Sequence, residues 1–115
     1  GMFTKSYDKN EHTFIKHTSK VVPIDTLNLE PMFVKIDTAG KYELSILKGM
    51  LRTIERCQPI IMIERVDFII LEIRKLLEGF GCHLVDWETA KPVSDEMVSD
   101  EPNLVFWPNS LTPLD

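Results

Sequence analysis

The sequence predicts an α/β fold built on a mainly parallel sheet, with helices between the strands and an antiparallel strand at the C-terminal end. Strand-like runs at residues 32–37, 60–64 and 82–87 alternate with two helix-length amphipathic segments. Strands and helices that alternate in this way form right-handed βαβ units on a parallel sheet. A long loop over residues 88–102 precedes the last strand-like run, so that run can return antiparallel.

Size and charge restrict the class of protein. The chain has 115 residues, 43% of them hydrophobic, which is enough for one ordinary domain. Its formal net charge of -5, without a basic stripe, argues against a nucleic-acid partner. No apolar run approaches the ~18 residues of a membrane span and no signal-peptide core opens the chain, so we expect no membrane partner and a cytoplasmic location. The two cysteines and three histidines lack the spacing of metal ligands, so no metal site is expected.

The chain divides into three segments by pattern. Residues 1–19 have no sustained period and are predicted to be a flexible arm, residues 20–108 form the α/β domain, and residues 109–115 are a tail. A short strand is predicted over residues 21–24, where Pro23 favours an edge or irregular position because proline has no backbone N–H.

The central segment predicts a strand, a helix and a second strand. Residues 32–37 are a compact β-branched and aromatic run that ends at a tight turn. Apolar side chains then recur every three or four positions over residues 42–56, which is typical of an amphipathic helix. Pro59 ends that helix, and the consecutive apolar residues 60–63 are typical of a strand covered on both faces.

The C-terminal segment predicts a second helix and two further strands. Asp67 is a candidate N-cap for a helix over residues 67–78, and the glycines that follow favour its termination. Residues 82–87 predict the next strand and residues 103–107 the last one, with an acidic, proline-containing loop between them.

The most specific feature of the sequence is a linked strand, turn, helix and strand. Residues 33–49 read FVKIDTAGKYELSILKG and residues 59–64 read PIIMIE. A strand that ends in Lys-Ile-Asp, a glycine-containing turn, a Glu-Leu helix start and a strand that ends in Glu resemble the FkbM-type methyltransferase family. Residues 22–27 are similar to the family's hydrophobic segment that leads to Thr-Leu-Asp, with Asn28 where the acid would stand. Residues 103–106 are similar to its closing strand.

The resemblance implies an S-adenosylmethionine-dependent O-methyltransferase on a Rossmann-like sheet, acting on a hydroxyl of a small molecule or sugar. In such enzymes the cofactor sits on a glycine-rich first strand-to-helix turn. No such turn precedes the strand at residues 32–37, because no glycine lies between Gly1 and Gly40. We therefore expect residues 20–108 to be a partial domain: the C-terminal, substrate-side half of the sheet, truncated, with no cofactor-binding residues. Such a chain should not bind S-adenosylmethionine well and should not be catalytic alone.

Three acidic residues are candidates for the site. Ligands of an open parallel sheet bind beyond the carboxyl ends of its strands, and Asp37 and Glu64 each end a predicted strand. Either carboxylate can orient a substrate hydroxyl or act as a general base, so both are catalytic candidates. Glu43, at the helix start, is a candidate substrate-binding residue. The alternative is that each acid caps the turn or helix that follows, since an acid at a helix start is favoured by ~0.3 to 1 kcal/mol without any substrate.

The alternative hypothesis is that the chain is a non-enzymatic assembly module. If the usual neighbouring strands are absent, the strand at residues 33–37 is a sheet edge with unpaired backbone groups that must be covered. We expect a homodimer through this edge, or a missing N-terminal half as the partner. The N-terminal arm is the alternative cover.

Overall fold

The computed structural model describes residues 2–9, 13–65, 67–94 and 103–111, which form two separate sheets. The strands are β1 (Met2–Lys9), β2 (Thr13–Lys20), β3 (Phe33–Ile36), β4 (Ile60–Glu64), β5 (Cys82–Val85) and β6 (Asn103–Pro108). The α-helices are α1 (Glu43–Lys48), α2 (Leu51–Cys57) and α3 (Ile70–Glu78), and two short 3-10 helices span Ile24–Leu27 and Asp67–Ile69.

The larger sheet is mixed, with the strand order β3-β4-β6-β5. β3 and β4 are parallel, whereas β6 runs antiparallel to both β4 and β5. The α/β class is therefore confirmed, but the prediction of a mainly parallel sheet is wrong. The long connection before β6 lets this strand insert between β4 and β5, so two of the three strand pairs become antiparallel.

The N-terminal segment forms a hairpin. β1 and β2 pair antiparallel along their whole length, from Met2 opposite Lys20 to Lys9 opposite Thr13. The segment predicted to be a flexible arm over residues 1–19 thus contains two paired strands, and its flexibility stays a prediction. Threonine, aromatic and β-branched residues favour extended backbone, and cross-strand pairing does not require the alternation of polar and apolar residues that a half-buried strand shows.

Two predictions are wrong for a shared reason. They are the strand at residues 21–24 and the single helix at residues 42–56. After β2 the chain enters the first 3-10 helix, and its Asp25 N–H donates to the Gly49 carbonyl at 2.9 Å. That carbonyl is thereby used outside the helix ladder; α1 ends at Lys48, and α2 begins separately at Leu51. A Cβ on Gly49 would lie 3.2 Å from the Cβ of Pro23, so the close approach favours glycine.

The core lies where the three α-helices pack on the larger sheet. β4 alternates partly buried and fully buried residues, so one of its faces is fully covered and the other, beside the exposed residues of β3, only in part. α3 begins after the second 3-10 helix rather than at Asp67 itself. Of the predicted loop at residues 88–102, residues 95–102 lie outside the described residues, and so do tail residues 112–115. The buried side chains of the core are Ile36, Leu47, Met50, Ile54, Ile61, Ile63, Ile70, Ile73, Leu77, Cys82, Leu84, Leu104 and Phe106.

Candidate functional site

The carboxyl ends of β3 and β4 bring two of the predicted site residues together. Ile36 is paired with Ile63, so the next residue of each chain segment, Asp37 and Glu64, stands at the same edge of the sheet. A hydrogen bond between these two carboxyl side chains, together with the negative charge of Asp37, raises the pKa of Glu64 above its ordinary value. Two carboxyl groups this close together disfavour a second negative charge, so Glu64 keeps its proton to a higher pH than an isolated glutamate does.

Glu43 occupies a different environment, although it lies close enough for its charge to raise the pKa of Glu64 further. The residue begins α1 and is 0% exposed. Its Oε1 accepts hydrogen bonds from the Thr38 N–H at 3.0 Å, the Gly40 N–H at 2.9 Å and the Thr38 hydroxyl. Burial alone would raise the pKa of Glu43, but these donors lower it below its ordinary value. Glu43 is therefore ionised at neutral pH.

The three residues that surround this carboxylate, Thr38, Ala39 and Gly40, are here called the 38–40 turn. Ala39 has a φ of 55° and Gly40 a φ of 82°, so two successive residues are left-handed, and the Thr38 and Gly40 amides both point to Glu43 Oε1. The Thr38 hydroxyl oxygen also accepts the Tyr42 N–H at 3.2 Å. The position that an external anion would take in such a strand-to-helix turn is filled by the chain's own Glu43.

The carboxylate of Asp25 accepts hydrogen bonds that the sequence analysis did not predict. Its carboxylate accepts the Thr53 N–H at 2.8 Å, the Thr53 hydroxyl at 2.8 Å and the Arg52 N–H at 3.2 Å, and so caps the start of α2. Burial alone would raise the pKa of Asp25, but these donors and the Arg52 charge lower it. No sequence pattern signals this cap, because the carboxylate reaches α2 across more than twenty-five residues of chain.

A groove of about 560 Å³ adjoins this cap. Arg56, on its wall, donates to the Asn28 side-chain oxygen at 3.0 Å and to the Leu29 carbonyl. The polar groups of the groove are thus largely engaged in tying the first 3-10 helix to α2. The lining residues are Asp25, Asn28, Arg52, Thr53, Glu55 and Arg56.

A glycine-rich cradle for a nucleotide-like cofactor is not present in the described part of the chain. The one G-x-G spacing in the sequence is Gly79-Phe80-Gly81, and it follows α3 and precedes β5. A cofactor turn lies instead between a strand and the start of a helix. The 38–40 turn has that location, but Glu43 fills it. The described residues therefore do not fit S-adenosylmethionine.

The described ranges contain neither a candidate metal site nor a helix that could cross a membrane. Among residues 2–9, 13–65, 67–94 and 103–111, no group of three or more His, Cys, Asp or Glu side chains is placed to hold a metal ion. Within the same ranges, no helix has the length and apolar character needed to cross a membrane.

Comparison with known proteins identifies the class of domain. The family model of the methyltransferase FkbM domain matches residues 1–97. The chain therefore belongs to the FkbM methyltransferase family, as the Lys-Ile-Asp strand and the Glu-Leu helix start predicted. The match includes the hairpin of β1 and β2, which the sequence analysis set apart from the domain. No curated protein and no solved structure matches the chain.

Proposed function

We propose that this chain carries the substrate side of an S-adenosylmethionine-dependent O-methyltransferase of the FkbM type and is not catalytic by itself. Asp37 and Glu64 are the catalytic residues of this proposal. The Rossmann-like architecture, the truncation and the cytoplasmic location expected from the sequence are parts of the same proposal.

The observation that carries the proposal is the carboxyl pair at the ends of β3 and β4. Asp37 is exposed and Glu64 is half-buried, so a substrate can reach the pair from the edge of the sheet. One carboxylate of the pair can accept the hydrogen of a substrate hydroxyl, and the raised pKa of Glu64 brings its proton affinity closer to that of a useful general base. These residues can thus orient a hydroxyl and take its proton.

The methyl donor supplies the electrophilic methyl group in such a reaction, and its binding is what this chain lacks. Family membership favours S-adenosylmethionine as the cofactor. The described residues offer no glycine cradle for it, so a further segment or a partner chain must supply that part of the site. The proposal therefore separates two functions, donor binding and hydroxyl orientation, and assigns only the second to this chain.

Isothermal titration of the folded chain with S-adenosylmethionine tests this assignment. We expect no heat beyond dilution in the micromolar concentration range, and the same for S-adenosylhomocysteine. A cooperative urea transition of the same sample serves as the control that the chain is folded. Binding with a micromolar dissociation constant would show that the chain holds a cofactor site, and would overturn the proposal.

A second candidate function, assembly through the edge of the sheet, is favoured by the position of β3. β3 is the terminal strand of the larger sheet, so one side of its backbone has no neighbouring strand within the described residues. Apolar side chains beside this edge face solvent: Met32 is 87% exposed and Phe33 53% exposed. Such an edge favours pairing with another chain.

Light scattering at micromolar concentrations tests this second candidate. The wild-type chain should have the mass of a homodimer, and Phe33→Lys, which places a charge at the edge, should be monomeric. Leu71→Lys on α3 is the matched control, because Leu71 is also exposed and apolar but lies far along the chain from β3. A monomeric wild-type chain would remove this candidate.

A further inference from the structure

We propose that Glu43 is a positioning residue: it holds the 38–40 turn from inside and thereby fixes Asp37 beside Glu64, without contacting the substrate itself. This role replaces the substrate contact expected from the sequence. It deepens the proposed function and rests on it, because its purpose is to place the carboxyl pair.

The side chain of Glu43 is inaccessible to solvent. The residue is 0% exposed, so a substrate at the edge of the sheet does not reach its carboxylate. Its Oε1 is already shared by three donors of the 38–40 turn. A carboxylate that accepts several hydrogen bonds from one turn stabilises the conformation of that turn.

Without Glu43, the 38–40 turn would have an unfavourable backbone conformation and unpaired amides. Ala39 is left-handed, a conformation that is unfavourable for a residue with a side chain. The Thr38 and Gly40 amides point to a common centre, and without an acceptor there they would lose their partners. The buried anion therefore compensates for a conformation that the local sequence does not favour.

The 38–40 turn directly follows Asp37 in the chain and so affects where this residue lies. Asp37 lies between Ile36, which is buried and paired with Ile63, and Thr38, whose amide and hydroxyl both donate to Glu43. The backbone of Asp37 is thus held on one side by the sheet and on the other by Glu43. Loosening of the 38–40 turn leaves only the sheet side to hold Asp37 near Glu64.

Glu43 also acts on the pair through its charge. Its Oε2 is buried and has no hydrogen-bond partner among the described residues, so its negative charge is not fully compensated there. The charged groups that act on Glu64 are Asp37 and Glu43, which favour its protonated form, and Lys35, which opposes them. A positioning role thus predicts two separable effects, one on the turn and one on the protonation of Glu64.

Two variants separate these effects. Glu43→Gln keeps an oxygen acceptor and removes the charge, whereas Glu43→Ala removes both. Hydrogen exchange of the Thr38 and Gly40 amides reports on the turn, and an NMR titration of the Glu64 carboxyl reports on the charge. Glu72→Gln on α3 is the matched control, because Glu72 is an exposed acid of a helix.

We expect the Glu64 pKa to fall in Glu43→Gln, with the two amides still protected. In Glu43→Ala we expect the amides to exchange about fivefold faster as well, which is the factor that corresponds to a lost hydrogen bond worth about 1 kcal/mol. If the alanine variant does not fold, Thr38→Val tests the turn in its place, because it removes one donor to Glu43 and the acceptor for Tyr42. The Tyr42 amide should then exchange faster.

Unchanged amide exchange in Glu43→Ala, or in Thr38→Val where that variant replaces it, would overturn the positioning role. A Glu64 pKa that stays at its wild-type value in Glu43→Gln would overturn the electrostatic part of the proposal. Neither readout involves the methyl donor. Tight binding of S-adenosylmethionine would refute the proposed function without changing the amide exchange or the Glu64 titration, so the two failures are distinguishable.

Discussion

Two carboxylates, Asp25 and Glu43, stabilise the fold by accepting backbone N–H groups that would otherwise have no partner. Asp25 accepts two N–H groups at the start of α2, and Glu43 accepts two in the 38–40 turn. Each carboxylate also accepts a threonine hydroxyl. These residues are therefore more important for stability than an average surface acid.

Replacement of Asp25 tests whether its carboxylate stabilises the fold by capping α2. Asp25→Ala should lower the free energy of unfolding by about 1 kcal/mol, within the ~0.5 to 2 kcal/mol range of lost helix caps, as measured by urea denaturation. Asp67→Ala is the control, because Asp67 is 80% exposed in its pair with Arg65. A surface pair of that kind contributes about 0 to 1 kcal/mol. Equal stability of Asp25→Ala and the wild-type chain would contradict the capping role.

The same two residues should make stability depend on pH on the acid side. The folded pKa values of Asp25 and Glu43 are lowered from 3.8 and 4.5. Groups of this kind stabilise the folded chain above their unfolded pKa values, and the contribution is lost as the pH falls through the folded values. Glu64, whose pKa is raised from 4.5, acts in the opposite sense: its contribution is present below that value and is lost as the pH rises through its folded pKa.

We therefore expect the urea midpoint to fall between about pH 5 and pH 2, and to fall less in Asp25→Asn than in the wild-type chain. Urea titrations at a series of pH values measure both curves. Parallel curves for the two proteins would show that Asp25 does not titrate as its hydrogen bonds require.

At the scale of elements, local sequence pattern and long-range contact account for different parts of the fold. The apolar run of β4 and the amphipathic stripe of α3 predicted those elements, because each buries the face that its own period defines. The break between α1 and α2 was not predictable in the same way. It depends on Pro23 and Asp25, which reach Gly49 from a segment more than twenty residues earlier in the chain.

The end of α3 allows a matched comparison of two glycines. Gly81 has a φ of 83°, whereas Gly79 continues the right-handed conformation with a φ of -66°. Gly81→Ala should lower the free energy of unfolding by roughly 1 to 2 kcal/mol because alanine is strained in the left-handed region. Gly79→Ala should cost less by the same urea measurement. An equal loss in both variants would show that the conformation of Gly81 is not what selects glycine there.

For the molecule as a whole, the sequence predicted which acids would lie together at the strand ends but not the contacts that hold them there. Asp37 and Glu64 were predicted from their places at strand ends, and the parallel register of β3 and β4 puts them at one edge. The hydrogen bonds from Thr38 to Glu43 depend on the irregular conformation of one short turn, and the cap from Asp25 is a long-range contact. Neither can be read from the period of a helix or a strand. The insertion of β6 between β4 and β5 was missed for the same reason, since a long connection permits several strand orders.

The ends of β3 and β4 bring the carboxyl groups of Asp37 and Glu64 together, and Asp37 raises the pKa of Glu64. An NMR titration of the Glu64 carboxyl in the wild-type chain and in Asp37→Asn tests it most directly, with Glu72→Gln as the control. The Glu64 pKa should be raised in the wild-type chain and in the control, and should return toward 4.5 in Asp37→Asn, because the charge of Asp37 is gone. A Glu64 pKa that is the same in all three proteins would contradict the pair.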